Sequence, residues 1–253
     1  TAKTSDEEEA RTKPPFRPHK LHSFYRGLYK AESDSEARRV RILHVGDSHT
    51  ASDTITGRIR ELFQDKFGAT GRGYAYPGKP WRTFRQEQMT YDMSREWETE
   101  LGTTNEPKPP FAAGGVRVET SSEGAWIERG TCDPEDCTHG RQFDRWAVFY
   151  LVQADGGSFE VSIDGERPTL IETAGESREL GVFRRGVEPG PHKLRIETTG
   201  DGPVALFGIR TSLGDNGVEY TSLGINGATA PEFAGFDRQL TRQEIDRINP
   251  DLL

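Results

Sequence analysis

Ser48 stands where a serine hydroxyl can do acyl-transfer chemistry. The run Val40, Ile42, Leu43 and Val45 ends at Gly46 and reads as a short buried strand of parallel type. After it, Asp53 or Thr54 can cap a helix whose apolar face is Ile55, Ile59, Leu62, Phe63 and Phe67, with Gly68 closing it. Asp47-Ser48-His49 is the tight turn between strand and helix. A serine on such a turn is exposed at the carboxyl edge of its sheet, where backbone N–H groups point outward and can hold an oxyanion. A second loop, Gly224-Ile225-Asn226-Gly227, follows the strand at 218–223 and can bring another N–H to the same place with no Cβ in the way. On spacing alone, Ser48 as a mere helix cap is an equal alternative. Asp47 suits the ordering of the turn through backbone amides, because adjacent side chains in an extended turn diverge.

None of the six histidines reads as the base that such a serine needs. His49 adjoins Ser48 and belongs to local turn packing, His44 lies within the strand, and His19, His22, His139 and His192 fall in polar or turn contexts. Cys132 and Cys137 are the only cysteines and share a polar loop. They are either a short-range disulfide of an oxidising compartment or two unpaired thiols. They lack metal-ligand spacing, so neither a metal nor a cofactor is expected. A net charge of -8 over 253 residues, without clustered Lys and Arg along the chain, argues against a nucleic-acid partner. No stretch approaches a membrane span. The chain opens at Thr1 without an apolar signal segment and reads as processed or cut from something longer. Oligomeric state is not legible.

Around these residues the chain divides by pattern. Residues 1–20 combine Glu7-Glu8-Glu9 with Pro14, Pro15 and Pro18 and read as a disordered linker. Leu21, Phe24, Tyr25, Leu28 and Tyr29 then mark one helical face. Between about 84 and 212 the helical pattern gives way to short β segments at 116–118, 146–152, 159–163, 178–183, 193–197 and 204–209, with turns at Asp164-Gly165 and Pro189-Gly190-Pro191. Alternation in Phe159, Val161, Ile163 and in Leu194, Ile196 implies one buried and one wet face, which suggests a β-sandwich with its own core. Trp126, Trp146, Tyr150 and Phe183 are its candidate sugar-stacking plates, each with core packing as the commoner role. Past Gly214 an α/β pattern returns: the 218–223 strand, a helix over about 232–248 ended by Pro250, and Asp251-Leu252-Leu253 as the opening of another strand.

The run Ile42-Leu43-His44-Val45-Gly46-Asp47-Ser48-His49-Thr50 resembles block I of the SGNH/GDSL hydrolase superfamily, and Ser222-Leu223-Gly224-Ile225-Asn226-Gly227-Ala228-Thr229 resembles its second block. The resemblance implies an α/β fold: a flavodoxin-like three-layer domain, incomplete at its C-terminus and interrupted by an inserted, jelly-roll-like, carbohydrate-binding-like β-sandwich, as in bacterial peptidoglycan O-acetylesterases. Its segments fall at 21–84 and 214–253, with the insert at 85–213. It further implies a carboxylic ester hydrolase with Ser48 as nucleophile and the N–H groups of Ser48 and Gly227 as oxyanion donors. The family's third-block Gly-x-Asn and fifth-block Asp-x-x-His do not follow the second block before Leu253, so the chain by itself is expected to be inactive. Asn105 imitates the third block but precedes the second, and is set aside. The implied substrate is an acylated carbohydrate or cell-wall polymer, met in the periplasm or outside the cell. An O-acetyltransferase on the same scaffold and a non-catalytic glycan-binding protein are the alternatives.

Overall fold

The computed structural model describes residues 19–33 and 37–253. The linker expected over 1–20 lies outside the described residues, apart from His19 and Lys20 at the start of helix α1 (His19–Ser33). The aliphatic run after it forms β1 (Arg39–Gly46), which pairs in parallel with β13 (Gly217–Gly224), from Arg39 opposite Gly217 to Gly46 opposite Gly224. Single bridges extend the pair on both edges, Leu252 against Ile42 and Ala69 against Val218. One face is closed by Phe24 and Leu28 of α1 and by Ile59, Phe63 and Phe67 of α3 (Thr54–Phe67), packed on Val40, Ile42, Val218 and Tyr220. Tyr25 and Tyr29 of α1 remain 61% and 69% exposed, so the buried stripe is narrower than the apolar face in the sequence.

The other face of the pair turns Leu43 and Leu223 into a second core, shared with Leu240 and Ile248 of α5 (Arg238–Ile248). Two antiparallel sheets make up most of the remainder. The first runs β10 (Glu179–Gly190), β7 (Phe143–Val152), β12 (Val204–Ser212), β5 (Val116–Thr120), β4 (Glu98–Leu101), and β2 (Gly73–Ala75) also joins β12. The second runs β3 (Thr90–Met93), β6 (Trp126–Gly130), β11 (Lys193–Thr198), β8 (Ser158–Ile163), β9 (Thr169–Glu172). Period-two alternation explains how they stack. Trp146, Val148 and Ile209 face Ile127, Val161 and Ile196 of the second sheet. Their neighbours Ala147 and Phe149 face the opposite way, into the core that holds Leu43 and Leu223, and Phe207 joins them because β12 shifts register between Leu206 and Gly208.

This corrects the expected fold class. A flavodoxin-like three-layer α/β domain is not the architecture: among the described residues there are thirteen strands against five helices, and the parallel sheet has only two strands. The strand–turn–helix opening is present, but alternating apolar residues commit the middle of the chain to stacked antiparallel sheets. The helix expected over 232–248 is two helices, α4 (Ala230–Gly235) and α5. Phe236 leaves the helical conformation to bury beside Phe111, and Asp237 restarts the chain by accepting from the Gln239 and Leu240 amides.

Glu244 of α5 is fully buried where the two halves of this core meet. The Tyr74 hydroxyl donates to its Oε1 and the Gly114 N–H to its Oε2 at 3.3 Å. Burial pushes its carboxyl up from 4.5 to about 7. A carboxyl raised in the folded state contributes stability that is complete below the unfolded value and is lost as pH climbs to the folded one. Glu244→Gln is therefore expected to fare better at pH 8 than at pH 4 relative to wild type, by on the order of 1–3 kcal/mol in denaturant melts. A difference independent of pH would show that the Glu244 carboxyl titrates alike in the folded and the unfolded chain.

Candidate active site

The parallel pair delivers two loops to one edge. Ile225 N–H donates to Gly46 O at 3.2 Å, continuing the pairing just past both strands, so the turn at 47–49 and the loop at 225–228 leave the sheet side by side. The short helix α2 (Ser48–Ala51) sits directly on them. A Cβ on Gly224 would collide with the backbone of Ala51, and one on Gly46 with the Thr50 side chain, so both glycines are needed for α2 to seat. Gly227 is different. Nothing lies within 4 Å of where its Cβ would be, and glycine is favoured there by its φ of +78°.

Asp47 caps α2: its Oδ1 accepts from the His49 N–H at 2.9 Å and lies 3.3 Å from His49 Nδ1. That amide hydrogen bond holds the Asp47 carboxyl below the usual range. Since capping falls to Asp47, Ser48 is released from it. Ser48 is exposed at the first helical position, and among the described residues no side-chain hydrogen bond engages its hydroxyl.

Asp53, five residues on, is completely buried and takes the left-handed conformation, φ 53°, that turns the chain from α2 into α3. Its side chain does not cap the helix. It accepts from Thr56 at 2.8 Å, Ser222 at 3.0 Å, the Glu87 amide at 2.9 Å, Arg72 at 3.3 Å and Arg60. Burial alone would raise this carboxyl, but Arg72 and Arg60 outweigh it and hold it below its ordinary value. Burial pushes Arg72 down to about 9, still protonated at neutral pH. Sequence reasoning saw only a helix cap here; the polar stripe Thr56, Arg60, Gln64 at i, i+4, i+8 was the available signal.

The described histidines are mostly engaged elsewhere. His44 Nδ1 lies 2.6 Å from the Tyr220 hydroxyl, and His192 bridges Asp164 Oδ2 and Glu188 O at 2.7 Å each. Asp136-Cys137-Thr138-His139 has Asp-x-x-His spacing, but His139 Nε2 lies 2.8 Å from Asp65 near the far end of α3 from Ser48. The same loop carries a disulfide between Cys132 and Cys137, with Cα atoms 6.3 Å apart. Asn105 is exposed in the β4–β5 connection. Among the candidate plates, Trp146 is buried, Tyr150 and Phe183 pack on the sandwich core, and the Trp126 ring lies under Arg195 at 5.0 Å. Beyond the Gly227 loop, a cleft of about 420 Å³ opens between α4 and the β4–β5 connection, lined by Thr104, Pro109, Phe111, Pro231 and Phe236. Among the described residues no cluster of His, Cys, Asp and Glu could hold a metal ion, and no helix is long and apolar enough to cross a membrane.

Asp53→Asn is expected to destabilise the protein by about 3–5 kcal/mol at neutral pH, since it leaves two buried guanidiniums without their anion. Because the carboxyl is depressed in the folded state, the stability it contributes is present above pH ~4 and lost as pH falls through the folded value. Denaturant melts at pH 7 and pH 3 would show the gap between variant and wild type closing in acid; an equal gap at both would remove the ion pair as its cause.

No family model matches the sequence, and no curated protein matches it. In structure the chain is similar to a peptidoglycan O-acetylesterase, with TM-score 0.63 and 20% identity, covering 85% of this chain and 55% of that one. A carbohydrate-binding module of family 35 from Paenibacillus barcinonensis aligns at TM-score 0.34 and 12% identity, over 55% of this chain and 96% of that one. A family two carbohydrate esterase from Cellvibrio japonicus aligns at TM-score 0.28 and 11% identity, over 52% and 35%. The last two likenesses are too slight to argue from. The first shows the fold: the chain spans 55% of the length of that esterase and is built as that part of it is.

Proposed function

We propose that the protein is a serine carboxylic ester hydrolase that removes acyl groups, acetyl foremost, from a carbohydrate or cell-wall polymer, with Ser48 as nucleophile. The observation that carries this reading is the turn after β1, where Asp47 takes over helix capping and Ser48 is left exposed with an unengaged hydroxyl beside the Gly227 loop. The block I resemblance and the fold shared with a peptidoglycan O-acetylesterase support it. The Cys132–Cys137 disulfide supports a periplasmic or extracellular setting.

Ser48 Oγ attacks the ester carbonyl carbon and its proton passes to a base. The carbonyl electron pair moves onto oxygen, where the N–H groups of Ser48 and Gly227 hold the charge. Collapse expels the sugar oxygen, which takes the proton, and water then releases the carboxylic acid from acyl-Ser48. His49 is the histidine at the turn, with Nδ1 3.3 Å from Asp47 Oδ1. The resemblance assigns the base elsewhere, to the histidine of an Asp-x-x-His element that follows the second block in the family.

In the full-length protein, Ser48→Ala is expected to cut acetate release from an aryl acetate and from O-acetylated polymer at least about a thousandfold, with an unchanged thermal melt. Gly227→Val should also lower kcat, through the cost of a β-branched residue at positive φ. Near-wild-type turnover by Ser48→Ala would remove the nucleophile assignment.

A further inference from the structure

A second site is assembled far from Ser48, at the amino end of the parallel pair. Arg184 of β10, Ala147 of β7 and Arg210 of β12 stand in one cross-strand row, Arg184 opposite Ala147 and Ala147 opposite Arg210. The next row on the same face is Gly186, Arg145 and Ser212. Small residues at Ala147, Gly186 and Ser212 leave a trough where longer side chains would fill the sheet face. Arginines wall it, with Arg39 of β1 closing one side, and the resulting cleft holds about 380 Å³, within the range of small-ligand sites.

The charges here do not balance. Glu219, buried, takes Arg210 at 2.7 Å and approaches Arg39 at 4.0 Å. Asp215 takes Arg39 at 3.0 Å and Arg145 at 2.9 Å, and Asp144 takes Arg145 at 2.9 Å. Arg184 has no ion-paired or hydrogen-bonded partner among the described residues. Partial burial, and then the nearby Arg247 and Arg210, lower its pKa; burial and Arg210 do the same to Arg41. The Nε of Arg39, which lines the cleft, is buried without an acceptor. Such a crowd of guanidiniums persists in a protein of net charge -8, and an incoming anion would relieve their mutual repulsion.

We propose that this cleft is an oxyanion-binding site, seating a carboxylate or phosphate on a group of about sugar size between Arg184 and Arg210, over Ala147. Guanidiniums suit either anion because their paired N–H groups match its oxygens. The site owes nothing to the Ser48 chemistry.

Isothermal titration of the full-length protein at low ionic strength, with sodium glucuronate and separately with inorganic phosphate, tests it, with glucose as the uncharged control. Saturable binding of at least one anion, and none of glucose, is expected. Arg184→Gln should weaken binding at least tenfold, with thermal melts unchanged, because Arg184 holds nothing else. Gly186→Asp should do the same by placing a tethered carboxylate in the trough: a Cβ there meets only Asp144 O, at 3.9 Å. Tighter glucuronate points to an acidic glycan as the source, tighter phosphate to a phosphorylated one. Ser48→Ala should bind as wild type does, which separates this result from the esterase assay. Absence of saturable binding by either anion, equal binding of glucose, or binding undiminished in both variants would overturn the proposal.

Discussion

The seating of the candidate site depends on one buried carboxylate. Asp53 joins α3 through Arg60 and Thr56, β13 through Ser222, and the segment beyond α3 through Arg72 and the Glu87 amide. Its backbone makes the left-handed turn that ends the Ser48 helix and starts the next. Removing three charges from water costs several kcal/mol each and is offset only where the geometry is complete. Here it is nearly so. One guanidinium nitrogen on each of Arg60 and Arg72 still has no acceptor, which leaves the cluster little tolerance for a lost partner. That cost falls within five residues of Ser48, so the placement of the turn that carries it is tied to electrostatics in the interior.

This also explains what the sequence made legible. β1 was readable because four aliphatic residues in six positions have few other uses, and the 47–49 turn because glycine and aspartate punctuate it. α3 was half readable. Ile59, Phe63 and Phe67 do pack inward, but Ile55 and Leu62 are 55% and 51% exposed, while Thr56, Arg60 and Gln64 are buried. The helix is a wall between an apolar core and a polar one, and hydrophobic periodicity reports only the first. β6 escaped notice because Trp126-Ile127-Glu128 offers too short an alternation to separate from a loop. The fold class was misjudged because a local strand–turn–helix carries no information on how many parallel strands follow.

The arginine cleft was invisible for a plainer reason. Its arginines stand at 39, 145, 184, 185 and 210, only Arg184 and Arg185 being adjacent, and each alone reads as a solvated surface charge. Only register brings them together: the β7–β10 and β7–β12 pairings set Arg184, Ala147 and Arg210 in line, and β1 adds Arg39. An acidic total charge hid a basic locality. Composition bounds what a whole molecule attracts at long range; it says little about what a single trough can hold.

β1 links the two places. Gly46 at its carboxyl end leads into the turn of Ser48, and Arg39 at its amino end walls the cleft. Eight residues of strand separate them by roughly 23 Å, well over the ~8 Å Debye length at physiological ionic strength. The cleft therefore does not tune the Ser48 hydroxyl through solvent. Nor does the strand offer two discrete arrangements that would couple the ends, since it is hydrogen-bonded along its length to β13 and covered on both faces. Any cooperation between them has to run through a ligand long enough to touch both. A polymer meets that requirement and a small molecule does not, so on the proposed reading of Ser48 and of the cleft an acylated polymer and a free acyl sugar would differ in what they engage on this surface.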